Sequence, residues 1–156
     1  MGSSIYKEII TNSPEETVEL GNEIAKKLAK GDLVALCGDL GAGKTMFVKG
    51  LAKGLGVEDY LHVNSPSFVI LKEYSGRMRL YHFDVYRLQE ESFAQTLDYR
   101  QYFYGNGITV VEWANKIEEL LPDEYVRIEA EHIGPEKRKF TIKKCGVSDV
   151  NENSSI

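Results

Sequence analysis

Residues 38–45 read Gly-Asp-Leu-Gly-Ala-Gly-Lys-Thr, the pattern G-x-x-x-x-G-K-T. This string constrains the fold because each residue type in it has a mechanical task. The glycines let the backbone curl around an anion without Cβ clashes. The curl turns N–H groups inward as an anion nest. Lys44 reaches the β- and γ-phosphates of a nucleotide, and Thr45 offers a hydroxyl to Mg²⁺. Asp39, Leu40, Gly41, Ala42, Gly43, Lys44, Thr45 and Met46 are therefore the candidate phosphate-loop contacts. The flanks agree. Residues 32–37 (DLVALC) form a short apolar run that reads as a buried strand. From Met46 to Leu55 the spacing is helical, with Phe47, Val48, Leu51 and Leu55 on one face. A strand, a glycine loop and a helix N-terminus make the arrangement that binds triphosphates.

The remaining pattern fits an α/β chain. Residues 5–10 read as a strand. Ser13-Pro14-Glu15-Glu16 starts a helix, with Ser at the N-cap, Pro at N1 and Glu at N3. That helix is predicted to reach about Lys30, where Gly31 closes it. Gly54 and Gly56 are read as ending the phosphate-loop helix. Residues 67–74 and 79–86 predict an antiparallel hairpin around 75–77. Residues 89–104 predict a weakly patterned helix. Residues 108–113 (ITVVEW) form another buried-strand run, followed by a short helix to Leu121 that Pro122 stops. Residues 125–131 and 139–144 predict a second hairpin around Gly134-Pro135. One domain over 1–146 is expected, with a polar, disordered tail over 147–156.

Composition excludes several classes. The chain has 156 residues, 42% hydrophobic and 28% charged, ordinary for a globular protein of one domain. No run is long enough to span a membrane, and the opening MGSSIYKEII has no apolar stretch suited to a secretory leader. Two cysteines, Cys37 and Cys145, are too few for a disulfide framework, and Cys37 reads as a small buried hydrophobe. With three scattered histidines they give no zinc spacing. A reduced, cytoplasmic setting fits. The net charge of −5 disfavours direct grip on a phosphate backbone. The Lys137-Arg138-Lys139 cluster reads as a solvated hairpin turn.

A phosphate-loop protein needs a carboxylate at the end of a neighbouring strand to hold Mg²⁺, directly or through water. Glu112 and Asp84 both qualify, and spacing does not rank them. Glu112 ends the more apolar run; Asp84 then orients the attacking water or a switch segment, or simply pairs with Arg87. Ser65-Pro66-Ser67 presents two hydroxyls in a stiffened turn, either a γ-phosphate sensor or a strand entry. His82 reads as a satisfied polar residue on a sheet face, and Trp113, the only tryptophan, as packing beside the sheet. Asn115-Lys116-Ile117-Glu118 imitates a guanine-reading N-K-x-D. Its acid is one methylene too long, it begins three residues after Glu112, and no D-x-x-G switch exists, so ATP is favoured over GTP. A small kinase is the enzyme-class rival, although 156 residues leave little room for a lid. A nucleotide-gated binding protein is the non-enzyme rival.

GDLGAGKT at 38–45, SPSF at 65–68, YHFDVYRL at 81–88 and VEW at 111–113, in this order, resemble the bacterial TsaE (formerly YjeE) ATPase family. The N-terminal ETVELGNEIAKKLAKGD resembles that family's opening helix. The resemblance spans about residues 10–145. It implies a P-loop NTPase-like fold: a central, mainly parallel sheet, helices on both faces and an antiparallel hairpin extension. It implies ATP and Mg²⁺ as cofactors, slow hydrolysis by the isolated protein, and docking on TsaD and TsaB, which make threonylcarbamoyladenosine at position 37 of tRNA; tRNA is engaged indirectly. On this resemblance Thr45 and Glu112 hold Mg²⁺, and Lys44, Asp84 and Glu112 are catalytic. Asp84 lies near the γ-phosphate, Ser65 and Ser67 form the nucleotide-sensing switch, Trp113 supports the site, and Lys137 or Arg138 touches the nucleotide. Ser67 departs from the family's usual Thr, Met46 from Thr, and Ala114 from Pro.

Overall fold

A continuous apolar strand is stable only when both of its faces are covered, and the central strand here meets that condition. The computed structural model describes residues 3–39, 43–64, 70–96 and 98–146, with side chains from residue 7 onward, that of Thr96 excepted. Its strands are β1 (Ser3–Thr11), β2 (Leu33–Gly38), β3 (Leu71–Tyr74), β4 (Leu80–Asp84), β5 (Ile108–Glu112), β6 (Tyr125–His132) and β7 (Arg138–Cys145). Its helices are α1 (Pro14–Ala25), α2 (Lys44–Gly54), α3 (Glu90–Thr96) and α4 (Arg100–Phe103), with 3-10 turns at Tyr60–His62 and Ala114–Leu120. Among the described residues the strands form one sheet in the order β1-β7-β6-β2-β5-β4-β3. The centre, β6-β2-β5-β4, is parallel. β3 adds antiparallel at one edge, and β7 and β1 add antiparallel at the other. The mixed α/β architecture expected from the sequence is present.

Side chains alternate across a strand, and β2 shows what that does. Val34 and Leu36 pack with Phe47, Val48 and Leu51 of α2 and Ile24 of α1. Leu33, Ala35 and Cys37 face the opposite way, toward Phe93 of α3, Phe103 of α4 and Ile117. Helices therefore cover both faces. No helix among the described residues is long and apolar enough to cross a membrane.

α1 starts as its sequence predicts. The Ser13 hydroxyl accepts the Glu16 N–H at 3.1 Å, and the Glu16 carboxylate reaches back to the Asn12 N–H at 2.7 Å. It ends at Ala25 rather than near Lys30. The reason is visible in its last turn, where Lys27 and Leu28 donate to carbonyls only three residues back. The Asp32 carboxylate then captures the Ala29 N–H, and Gly31 takes a φ of +90°. α1 lies against α2 at backbone distance. A Cβ on Gly50 would sit 2.0 Å from the Val18 carbonyl oxygen, and one on Gly21 2.3 Å from that of Phe47. Gly54 belongs to the same contact, against Ala25, rather than serving only as a helix stop.

Two other expectations change. Residues 89–104 form two short helices instead of one. Phe93 and Phe103 both meet the edge of Phe83, at 5.7 and 5.5 Å between ring centres, and this packing outweighs a weak helical pattern. The helix expected after Glu112 is a 3-10 segment, broken by a non-helical Ile117 at φ −129°. The two predicted hairpins exist as β3–β4 and β6–β7; residues 67–69 of the first, and the expected tail over 147–156, lie outside the described residues.

The glycine contact yields a stability prediction. Gly50→Ala should lower unfolding stability by about 1–3 kcal/mol in urea titration, because a methyl has no room against Val18. Wild-type stability in that variant would contradict the close approach of α1 and α2.

Candidate functional site

Parallel strands bring their C-terminal ends to one edge. Along that edge Leu36 of β2 is registered with Glu112 of β5, and Glu112 with Asp84 of β4. Leu80, Ile108 and Val110 belong to the core beneath α1 and α2. By alternation His82, Asp84 and Glu112 point to that same face, where α2 begins. All three are buried, Asp84 at 7% and Glu112 at 3% exposure.

Lys44, the first residue of α2, completes the group and is itself buried. Its ammonium donates to the Asp39 carbonyl at 2.8 Å and also to that of Gly38. It lies 4.1 Å from the centre of the Trp113 ring. Burial pulls its pKa below the ordinary lysine value, while the Glu112, Asp84 and Asp39 carboxylates pull the other way. A cation is thus held beside two buried acids, with hydrogen bonds, among the described residues, to the carbonyls of Gly38 and Asp39. Gly43 caps α2 with φ +96° and no side-chain cap bond, which leaves the first-turn N–H groups suited to an anion.

The acids have separate anchors. Glu112 Oε2 lies 2.5 Å from His82 Nε2. Asp84 Oδ1 accepts the Tyr86 N–H at 2.9 Å, just past the end of β4. Trp113 adopts φ 63° and ψ 33°, the left-handed region, which costs a bulky residue about 1–2 kcal/mol. That kink takes the chain off β5 while the Trp113 N–H still donates to the Leu36 carbonyl at 2.9 Å. The ring then fits between Lys44 and Tyr86, whose ring centre is 4.6 Å away. Lys116, from the segment that imitates a guanine motif, donates to the Tyr86 carbonyl at 2.5 Å. Burial pushes the Cys37 thiol pKa up, as suits a small core hydrophobe.

The structure brings together Asp39, Gly43, Lys44, Asp84, Glu112 and Trp113, with Thr45 next in α2. It separates the two basic candidates. Arg138 packs against the loop, its Cγ 3.3 Å from where a Gly43 Cβ would stand, and its Nε is buried with no partner among the described residues. Lys137 is exposed on the β6–β7 turn. Met46 turns elsewhere, into a 590 Å³ cavity with Pro14, Tyr60 and Leu61. Leu40, Gly41, Ala42, Ser65 and Ser67 lie outside the described residues. The segment leading to Ser65 is tied to α2, since Lys49 donates to the Leu61 carbonyl at 2.6 Å and to that of Val63. A 620 Å³ cavity opens beside Gly38, Asp39 and Trp113 and continues to Arg127 and Glu129.

Sequence reasoning took His82 for a satisfied polar residue of the sheet and passed over Tyr86; the structure places His82 Nε2 on Glu112 and leaves its Nδ1 without a partner among the described residues. His82 was readable: it stands two residues before Asp84 on one strand, so the two share a face. Tyr86 gave no such signal, because its role depends on a backbone N–H and a ring contact past the strand end.

A family model described as "Threonylcarbamoyl adenosine biosynthesis protein TsaE" matches residues 11–140. The chain belongs to the TsaE family. The TsaE protein of Bacillus subtilis (strain 168) is 47% identical over 137 residues, covering 87% of this chain and 84% of that one. That of Treponema pallidum (strain Nichols) is 37% identical, covering 85% and 97%. That of Aquifex aeolicus (strain VF5) is 39% identical, covering 88% and 96%. The crystal structure of YdiB from Bacillus subtilis superposes with a TM-score of 0.75 at 39% identity, covering 91% of this chain and 87% of that one. The TsaE match includes every strand end that carries an acid here.

The Lys44–Trp113 contact is testable without any ligand. Trp113 is the sole tryptophan, so Lys44→Met should change its emission intensity in the free protein. Identical emission spectra for both proteins would contradict the contact.

Proposed function

We propose that this chain is a Mg²⁺-dependent ATPase with a P-loop NTPase-like fold, acting in the cytoplasm on a TsaD–TsaB complex in threonylcarbamoyladenosine modification of tRNA position 37. The observation that carries the reading is the meeting of Lys44, the first residue of α2, with Glu112 and Asp84 at adjacent strand ends, all three buried. Membership of the TsaE family and the names its relatives carry support the pathway.

The donors present suit a hard cation. Thr45 offers a hydroxyl and Glu112 a carboxylate, and among the described residues no three His, Cys, Asp or Glu side chains gather into a protein cage. Mg²⁺ is commonly held this way, by one or two protein oxygens, waters and substrate phosphates. When bound, Mg²⁺ supplies neutralisation of charge on the phosphate oxygens. The rest is done by the chain. Lys44 exchanges the Gly38 and Asp39 carbonyls for phosphate oxygens, which relieves a buried ammonium. The N–H groups at the start of α2 hold the phosphates. Asp84, fixed through Tyr86, orients the attacking water, and Trp113 keeps Lys44 in line. Arg138 approaches the nucleotide from the β7 side of the loop. Ser65 and Ser67 are proposed as the nucleotide-sensing switch. Catalysis of this kind is mostly positioning and electrostatics.

ATP turnover in Mg²⁺ should be slow for the chain alone and rise with TsaD and TsaB, with GTP a poorer substrate. Asp84→Asn and Glu112→Gln should each lower it roughly 100-fold or more, and Lys44→Ala should abolish it. Turnover indifferent to the partners, or a preference for GTP, would contradict the reading. Partner binding that follows nucleotide but persists in both acid variants would favour a gate over an ATPase.

A further inference from the structure

We propose that His82 is a positioning residue for Glu112, separating the two carboxylates so that Glu112 serves the metal and Asp84 the water; the inference rests on the ATPase reading above. The register places Glu112 beside Asp84, but the hydrogen bond that Glu112 accepts comes diagonally, from His82, whose own register partner on β5 is Val110. One oxygen of Glu112 is therefore drawn back along β4. Asp84 is drawn the other way, to the Tyr86 N–H beyond the strand end. Two neighbouring acids are thus held apart by anchors on opposite sides.

His82 is poorly explained by packing. It has no exposed surface, and its neighbours beneath α2 include Leu80, Ile108 and Val110. Its Nδ1 is buried with no partner among the described residues, an arrangement that costs stability. A leucine would fill the space without that cost. Strand registry does not need the pair either, because β4 and β5 are already laddered from Leu80–Ile108 to Asp84–Glu112. What the imidazole supplies is a charge-assisted bond from Nε2 to a buried carboxylate, since an ionised carboxylate can only accept. Partners of this kind, behind a metal-binding side chain, fix its orientation, and their loss commonly weakens metal binding about 10–100-fold.

The test follows Trp113 emission while Mg²⁺ is titrated into protein saturated with a non-hydrolysable ATP analogue. His82→Leu should raise the Mg²⁺ concentration at half-effect about 10–100-fold and leave metal-free analogue binding unchanged. His82→Gln, whose side-chain nitrogen reaches about as far as Nε2, should restore most of the loss. In a Glu112→Ala background, where His82 has no carboxylate to hold, His82→Leu should add nothing further. His82→Asn, too short to reach Oε2, gives the same reading if the leucine variant does not fold. A wild-type Mg²⁺ response in folded His82→Leu or His82→Asn overturns the inference alone, as does an undiminished effect in the Glu112→Ala background. A wild-type chain with no metal-dependent response overturns the ATPase reading, and this inference with it.

Discussion

Lys44, Glu112 and Asp84 are removed from water together, and the rest of the architecture follows from making that tolerable. An isolated buried charge is costly, and in proteins it is offset by opposite charge and by hydrogen bonds. Here the offset comes from three directions: carbonyls of the loop on Lys44, an imidazole on Glu112 and a backbone N–H on Asp84. Lys44 is the least settled member. Its bonds are to neutral carbonyls and an aromatic face, both weaker partners than a phosphate. The free state is therefore one in which a ligand anion has something to replace.

The scaffold sets this group by register. Parallel pairing of β4, β5 and β2 puts three strand ends level, and alternation points the acids to the face where α2 starts. α1 lies close against α2 through Gly21 and Gly50. The left-handed turn at Trp113 then moves an indole under Lys44 instead of continuing the strand. Local backbone strain at such a position is tolerated where packing over-determines it, and Trp113 is gripped by both Tyr86 and the Leu36 carbonyl. The antiparallel wing of β6, β7 and β1 brings Arg138 to the opposite side of the loop.

Much of this was legible in the residues. The phosphate-loop string lies between a strand and a helix as expected, and both acid-bearing runs are strands of the parallel core. What escaped was decided by contacts far apart in sequence. α1 frays early because Asp32 and Gly31 compete for its last turn, an outcome helical spacing cannot express. Residues 89–104 break into two helices because aromatic rings converge on Phe83. Gly54 reads as punctuation in one dimension and proves to be a helix–helix contact in three. His82 reads as a sheet polar residue, and only the diagonal to Glu112 shows what it holds. The choice between Lys137 and Arg138 needed the hairpin's geometry, which turns one to solvent and the other to Gly43.

The most direct test of the account is a crystal structure with Mn²⁺ and a non-hydrolysable ATP analogue, the metal located by anomalous scattering. The account predicts phosphates at the N-terminus of α2, with Lys44 moved from the Gly38 and Asp39 carbonyls onto them. It also predicts the metal on Thr45 and, directly or through one water, on Glu112, with Glu112 still bonded to His82. Phosphates bound away from α2, or a metal held without Thr45 and Glu112, would contradict it.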